Sequence, residues 1–408
     1  VALAVALAAT AAAAPLEKLT VEKASDPALS GQIPSHVAWR PDGKRLTNLR
    51  TIGAEVGLYA LDPGKGKETL LVPGDTPGLP PGSDEAHALS SSSWMRDSRH
   101  LLLNAAGDIH LVDVKERRVR ALVTGEAEEE FATPSPDGKR VAFVRGSDLY
   151  VVEVKTGRET RLTHSGSETL LNGRLDWVYE EEMGGRSGHA FAWAPNSRAL
   201  AYLQLDQSPI DPFPIVDFLP VQNSVAWQRY PKAGTPNSVV RLGVVGIGKL
   251  GVAGPERLVS VDSEDHYIAP QLAWTPDSRH VVFQHLNRAQ DTLQLRLLPV
   301  PKKAEDDLGA PRTVLTERSD SFVNLLMKPR FHRKGKQFLW LSERSGFAHI
   351  YDCTLSGSCR PVTRGPWMVD ARVSFSREPG EPFVLDERSG FVYFTATEKD
   401  PRERHLYR

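Results

Sequence analysis

One phrase returns along this chain and restricts its fold more than any other feature. It reads VAWRPDGKRLTNL from Val37 to Leu49, SSWMRDSRHLLL from Ser92 to Leu103, ATPSPDGKRVAFV from Ala132 to Val144 and FAWAPNSRALAYL from Phe191 to Leu203. Later copies are LAWTPDSRHVVFQ (Leu272 to Gln284), PRFHRKGKQFLWL (Pro329 to Leu341) and a weaker VLDERSGFVYFTA (Val384 to Ala396). The shared grammar is an apolar pair, a proline, Asp-Gly or an equivalent turn, a basic residue, and an apolar strand. Asp-Gly and Asn-Ser accept the tight backbone that joins two antiparallel strands. Runs such as Val141-Ala-Phe-Val and Leu200-Ala-Tyr-Leu suit strands covered on both faces. A second strand follows at Asp148-Leu-Tyr-Val-Val-Glu-Val. Copies about 40 to 80 residues apart predict an all-β fold, a β-propeller of four-stranded blades whose radial closure protects the sheet edges. Seven copies, with a strand-like His405-Leu-Tyr-Arg at the end, predict seven to eight blades and a chain cut before closure. The long gap from roughly Gln204 to Glu264 is rich in proline and reads as an insertion, which in propellers maps to loops on one face.

Charge is balanced, 50 Lys and Arg against 51 Asp and Glu in 408 residues. That removes any global reason to expect nucleic acid or an anionic membrane as partner. Val1 to Ala14 (VALAVALAATAAAA) carries no charge and resembles the apolar core of a secretory signal followed by a small-residue cleavage zone. It is too short for an ordinary membrane span. The other readings are an Ala-rich helix of the mature protein and an uncleaved anchor lengthened by upstream residues. The expected domains are a signal remnant over 1–14 and a propeller over 15–408, exported to a periplasm or the exterior. Cys353 and Cys359 flank Gly357 between two strand-like runs. A hairpin there brings the two side chains together, and in an oxidising compartment a disulfide is expected, two buried thiols being the alternative. No zinc is expected, since no second ligand pair has suitable spacing.

Arg174 to Leu203 reads RLDWVYEEEMGGRSGHAFAWAPNSRALAYL, and Arg229-Tyr-Pro-Lys-Ala-Gly-Thr-Pro-Asn follows it. Both phrases resemble the dipeptidyl peptidase IV family of prolyl oligopeptidase-type serine exopeptidases. The stretch around the two cysteines, Val362-Thr-Arg-Gly-Pro-Trp and Asp26-Pro-Ala-Leu-Ser-Gly are also similar to that family. The resemblance implies an N-terminal β-propeller that caps a C-terminal α/β-hydrolase domain in the same polypeptide. It implies release of N-terminal di- or tripeptides, often after proline, by a homodimer acting on peptides with a free amino terminus. Carried onto this sequence, Glu181 and Glu182 hold that amino group, Glu180 is their non-binding neighbour, and Asp176, Trp177 and Tyr179 support them. The family also uses a carbonyl-binding arginine from an earlier loop; the matching region from Leu101 to Gly107 has none.

The chemistry of the residues agrees. A peptide α-amino group has a pKa near 8 and is mostly an ammonium at neutral pH. Its three donors call for several anionic or carbonyl acceptors, which two convergent carboxylates supply. Neighbouring residues of a regular helix or strand do not point the same way, so convergence of Glu181 and Glu182 requires an irregular turn. Gly184-Gly185 permits one. The other acidic run, Glu126-Ala-Glu-Glu-Glu, lacks the aromatic flank and reads as a surface loop.

No Gly-x-Ser-x-Gly is present, and Gly184-Gly-Arg-Ser-Gly-His has the wrong spacing. No catalytic residue is therefore expected in this stretch, which should be inactive without the hydrolase domain. No His-Glu-x-x-His or phosphate loop occurs, and no cofactor or metal is implied. Isolated histidines such as His189 and His266 read as structural. Two competing functions are a non-enzymatic periplasmic propeller that binds proteins and a related endopeptidase or acylpeptide hydrolase. The fold alone does not separate them.

Overall fold

The computed structural model describes residues 20–24, 35–52, 55–82, 87–183, 187–248, 251–262, 265–303, 306–370 and 382–408. The apolar stretch 1–14, the phrase at 26–31 and the glycines at 184 and 185 lie outside the described residues.

The chain divides into two compact units, Val1–Pro73 and Gly74–Arg408. The first holds a one-turn helix, Val21–Ala24, and one antiparallel sheet built in chain order from Ser35–Trp39, Leu46–Ile52, Glu55–Asp62 and Lys67–Pro73. Its interior is small, with Leu58, Ala60 and Val72 buried.

The second unit repeats the same antiparallel sheet. The second sheet of the chain comprises Ser92–Trp94, His100–Ala105, Asp108–Asp113 and Arg118–Val123. The third comprises Glu129–Pro134, Arg140–Arg145, Asp148–Glu153 and Glu159–Arg161. In the fourth and fifth the innermost strand is split, giving five strands each: Leu170–Asn172 with Phe191–Trp193, and His266–Ile268 with Ala273–Trp274. The sixth has four strands, Arg330–His332 to Cys359–Pro361, and the seventh has three, Phe383–Asp386, Phe391–Ala396 and His405–Tyr407. The chain has an all-β propeller fold, with seven blade-like sheets described, six of them in the second unit and not all four-stranded.

The repeat's turn has one recurring geometry. The residue after Asp or Asn adopts a left-handed backbone in the first five copies: Gly43 at φ 67°, Ser98 at 56°, Gly138 at 71°, Ser197 at 60° and Ser278 at 59°. The preceding carboxylate or amide accepts the backbone N–H two residues on, at 2.9 Å for Asp97–Arg99, 2.9 Å for Asn196–Arg198 and 3.1 Å for Asp137–Lys139. Asp and Asn are used because they make this bond, and Gly or Ser follows because a bulkier side chain is strained at positive φ.

Alternation along the second strands of the third and fourth sheets divides their side chains between two cores. Val141 and Phe143 pack toward the second sheet, with Leu102 and Ile109, while Ala142 and Val144 pack toward the fourth, with Leu200 and Tyr202. Ala201, Leu203 and Leu205 then join Val281, Phe283 and Phe338 in the largest core. A strand with both faces covered therefore reads as a continuous apolar run. Trp193 Nε1 donates to Thr133 O of the third sheet at 3.0 Å, and Trp274 Nε1 donates to Ala192 O of the fourth at 3.1 Å. These two repeat tryptophans thus tie their blades to the ones before.

The segment 204–264 is only partly an insertion. Val239–Ile247 and Ala253–Val259 are the outer strands of the fourth sheet, paired to Ala199–Asp206 and to each other. They were hidden because they carry no copy of the turn phrase. The extra material is a separate two-stranded hairpin, Pro212–Asp217 with Ser224–Arg229. Glu126–Glu130 is not simply a surface loop either. Glu129 opens the third sheet, is 1% exposed and accepts Arg145 Nε at 2.8 Å, and Glu130 pairs with Arg174 at 2.8 Å. Half-buried arginine partners, Arg145 and Arg174, pair with these two acids, and the local sequence does not contain those partners. Cys353 and Cys359 face each other across a hairpin and are joined by a disulfide.

Candidate substrate-recognition site

The acidic triplet lies on a single π-helical turn, Tyr179–Met183. A wide turn of this kind is a recurrent feature of functional sites. Its ends are buried and its middle is not: Tyr179 is 1% and Met183 7% exposed, while Glu181 and Glu182 are both exposed. With positions 179 and 183 turned into the core, the two residues between Glu180 and Met183 are left on the outer face. The turn thus lets two consecutive carboxylates share the solvent side.

The flank is held at four points. Asp176 is buried; its carboxylate accepts the Tyr179 N–H at 2.9 Å and the Ser238 hydroxyl. Burial pushes its carboxyl above the usual range, opposed by the hydrogen bonds from Ser238 and from the Tyr179 and Val178 amides. The Trp177 ring lies 4.4 Å from that of Tyr230 between centroids. Tyr179 packs 6.0 Å from Tyr267, its hydroxyl accepts the Ile268 N–H at 3.3 Å, and burial raises its pKa well above the ordinary value. Gln271 Nε2 donates to Met183 O at 2.9 Å and closes the turn from the fifth sheet.

Tyr230 in turn touches Phe213 of the hairpin, and the Lys232 ammonium sits 3.7 Å from the Phe213 ring centroid and 5.0 Å from that of Tyr230. The two sequence phrases, whose contact residues Trp177 and Tyr230 lie 53 positions apart, therefore form one assembly in which the second buttresses the first. Beside the turn, burial and the charge of Glu181 raise the Glu180 carboxyl, with Arg174 opposing. Glu130 is raised by burial, again with Arg174 opposing.

Sequence reasoning named Asp176, Trp177, Tyr179, Glu181 and Glu182, and these lie together. It did not name Ser238, Tyr230, Gln271 or the Arg174–Glu130 pair. Tyr230 lies inside the second phrase and Ser238 directly follows it, a signal that was present. Gln271 carries no local signal, because its role is to reach a carbonyl of another blade.

Residues 82–408 match the model of the dipeptidyl peptidase IV (DPP IV) N-terminal region. The chain is 27% identical over 391 residues to "Probable dipeptidyl peptidase 4" of Aspergillus flavus, covering 87% of this chain and 47% of the relative. It is 26% identical over 341 residues to "Dipeptidyl peptidase 4" of Arthroderma otae, covering 79% and 40% respectively. The crystal structure of Porphyromonas gingivalis dipeptidyl peptidase 4 superposes with a TM-score of 0.73 at 24% identity, over 92% of this chain and 51% of that one. The chain thus spans less than half the length of these two curated relatives. With the propeller sheets, the anchored acidic turn and a family match over residues 82–408 in hand, the chain belongs to the dipeptidyl peptidase IV N-terminal region family.

Proposed function

We propose that this propeller selects and gates substrates for a secreted serine exopeptidase that releases N-terminal di- or tripeptides, often after proline. The observation that carries the reading is the π-turn: Tyr179 and Met183 are buried, Glu181 and Glu182 are exposed together, and the second phrase braces the turn from behind. Glu181 and Glu182 receive the substrate ammonium. Holding that end at a fixed distance from a nucleophile in a hydrolase domain of the same polypeptide converts cleavage anywhere into cleavage that counts residues. Part of the gain is orientational entropy. The disulfide between Cys353 and Cys359 supports a periplasmic or extracellular location.

The assembly is a homodimer. The hairpin presents Phe218 at 74%, Leu219 at 96% and Trp227 at 67% exposure, an apolar arm that a second copy covers through a self-complementary contact.

The test is the full-length enzyme carrying Glu181→Ala with Glu182→Ala, assayed on an Xaa-Pro chromogenic substrate. Loss of two charge-assisted hydrogen bonds lowers kcat/KM by about a hundredfold or more. An unchanged rate would end the exopeptidase reading.

A further inference from the structure

A cavity of about 720 Å³ opens among the inner strands of the third to sixth sheets. Gln284, on its wall, is the last residue of the fifth sheet's repeat, where the fourth has Leu203 and the third has Val144. It is 1% exposed, and neither side-chain amide atom has a hydrogen-bond partner among the described residues. The Gln271 Oε1 on the same wall is also unpartnered, while its Nε2 is committed to Met183. Buried amide groups of native proteins are nearly always satisfied, so a polar residue in an apolar series, aimed into a cavity, marks a place for a polar ligand.

The rest of the lining narrows its chemistry. The indole N–H groups of Trp193 and Trp274 are already bonded to backbone carbonyls, so these rings offer only apolar surface to the space. Burial, aided by the Lys328 charge, lowers His189 to about 4 and leaves it neutral at physiological pH. Lys328 and Arg330 also line the cavity, and among the described lining residues there is no Asp or Glu. Lys328 has no acidic partner among the described residues. The site therefore combines apolar walls, an amide with a free donor and a free acceptor, and positive charge.

We propose that this cavity binds the carboxylate end of a short peptide. Gln284 pairs with the last peptide group, Lys328 holds the carboxylate, and Trp193 and Trp274 enclose an apolar side chain. The proposal rests on the reading of a peptide-handling propeller and is independent of the ammonium site at Glu181 and Glu182.

Isothermal titration of the purified protein with N-acetyl-alanyl-leucine tests it, because acetylation removes the ammonium that the glutamates would hold. The free acid binds, and its C-terminal amide binds about tenfold more weakly through loss of a charge-assisted bond. Gln284→Leu and Lys328→Ala each weaken the acid by about the same factor. Gln284→Leu melts no lower than the parent, since Leu203 occupies the matching position; Lys328→Ala, at an exposed residue, covers the case in which it does melt lower. Glu181→Ala with Glu182→Ala leaves the affinity unchanged. No binding of the acid, equal binding of acid and amide, full affinity in both the Gln284 and Lys328 variants, or weakening by the double glutamate variant each overturns the proposal. Loss of exopeptidase activity in the glutamate variant, without probe binding, rejects the cavity site and leaves the ammonium site standing.

Discussion

The Trp177 ring rests on Tyr230 with centroids 4.4 Å apart and planes inclined by 50°. Trp177 lies two residues before the acidic turn and Tyr230 is the second residue of the second phrase, so one aromatic contact joins the two parts of the site. Tilted pairs of this kind contribute about 0.5–1.5 kcal/mol beyond the area they bury. Trp177→Ala should lower stability by about 1–2 kcal/mol. It should also raise KM for an Xaa-Pro substrate more than it lowers kcat, because the turn is loosened while the nucleophile is untouched. Chemical denaturation and steady-state kinetics of the full-length enzyme read the two effects.

Ser238→Ala removes a donor from the buried Asp176 carboxylate. Burial raises the folded-state pKa of Asp176 above its unfolded value, so its contribution to stability is present below the unfolded pKa and is lost as pH rises through the folded one. Removing Ser238 raises the folded pKa further. The variant should be less stable by about 1–3 kcal/mol at neutral pH, with the gap narrowing as pH falls through the carboxylate range. Urea midpoints at several pH values measure it, and a gap that widens in acid would contradict the assignment.

Ser197 holds a left-handed backbone at φ 60°, and its Oγ accepts the Asp137 N–H of the third sheet's turn at 3.0 Å. Ser197→Ala keeps the strain and loses the bond, costing about 1–2 kcal/mol. Ser197→Gly loses the bond but relieves the strain, so it should be the milder variant. Thermal midpoints of the two proteins in this order check the claim.

The disulfide closes a loop of sequence separation 6. Constraint of so short a loop in the unfolded chain is worth about 2 kcal/mol, and replacing both cysteines with alanine should cost that amount. Cleavage of an Xaa-Pro substrate by the double variant should be unchanged at temperatures well below its melting point, since the groups that brace the acidic turn, Ser238, Tyr230, Tyr267 and Gln271, lie on other elements.

The homodimer reading is tested by Phe218→Asp with Trp227→Asp. Both side chains are exposed, so melting should change little while the mass by light scattering falls by half. A dimer that persists would place the contact elsewhere.

The residues of the sequence determined the blades, because each carries its own hairpin. The Asp-Gly and Asn-Ser turns and the apolar runs after them act over neighbouring residues, and local interactions are legible in local sequence. The paired phrases also pointed to Glu181, Glu182 and their flank. Tertiary structure alone decided how those carboxylates come to lie on one side. Burial of Tyr179 and Met183 needs Tyr267, Ile268 and Gln271 from the next blade. It decided, too, that Glu129 and Glu130 turn inward to Arg145 and Arg174, and that Gln284 sits unpaired beside a cavity. These outcomes depend on partners tens of residues away, whose distance in space is set only when neighbouring sheets pack against one another.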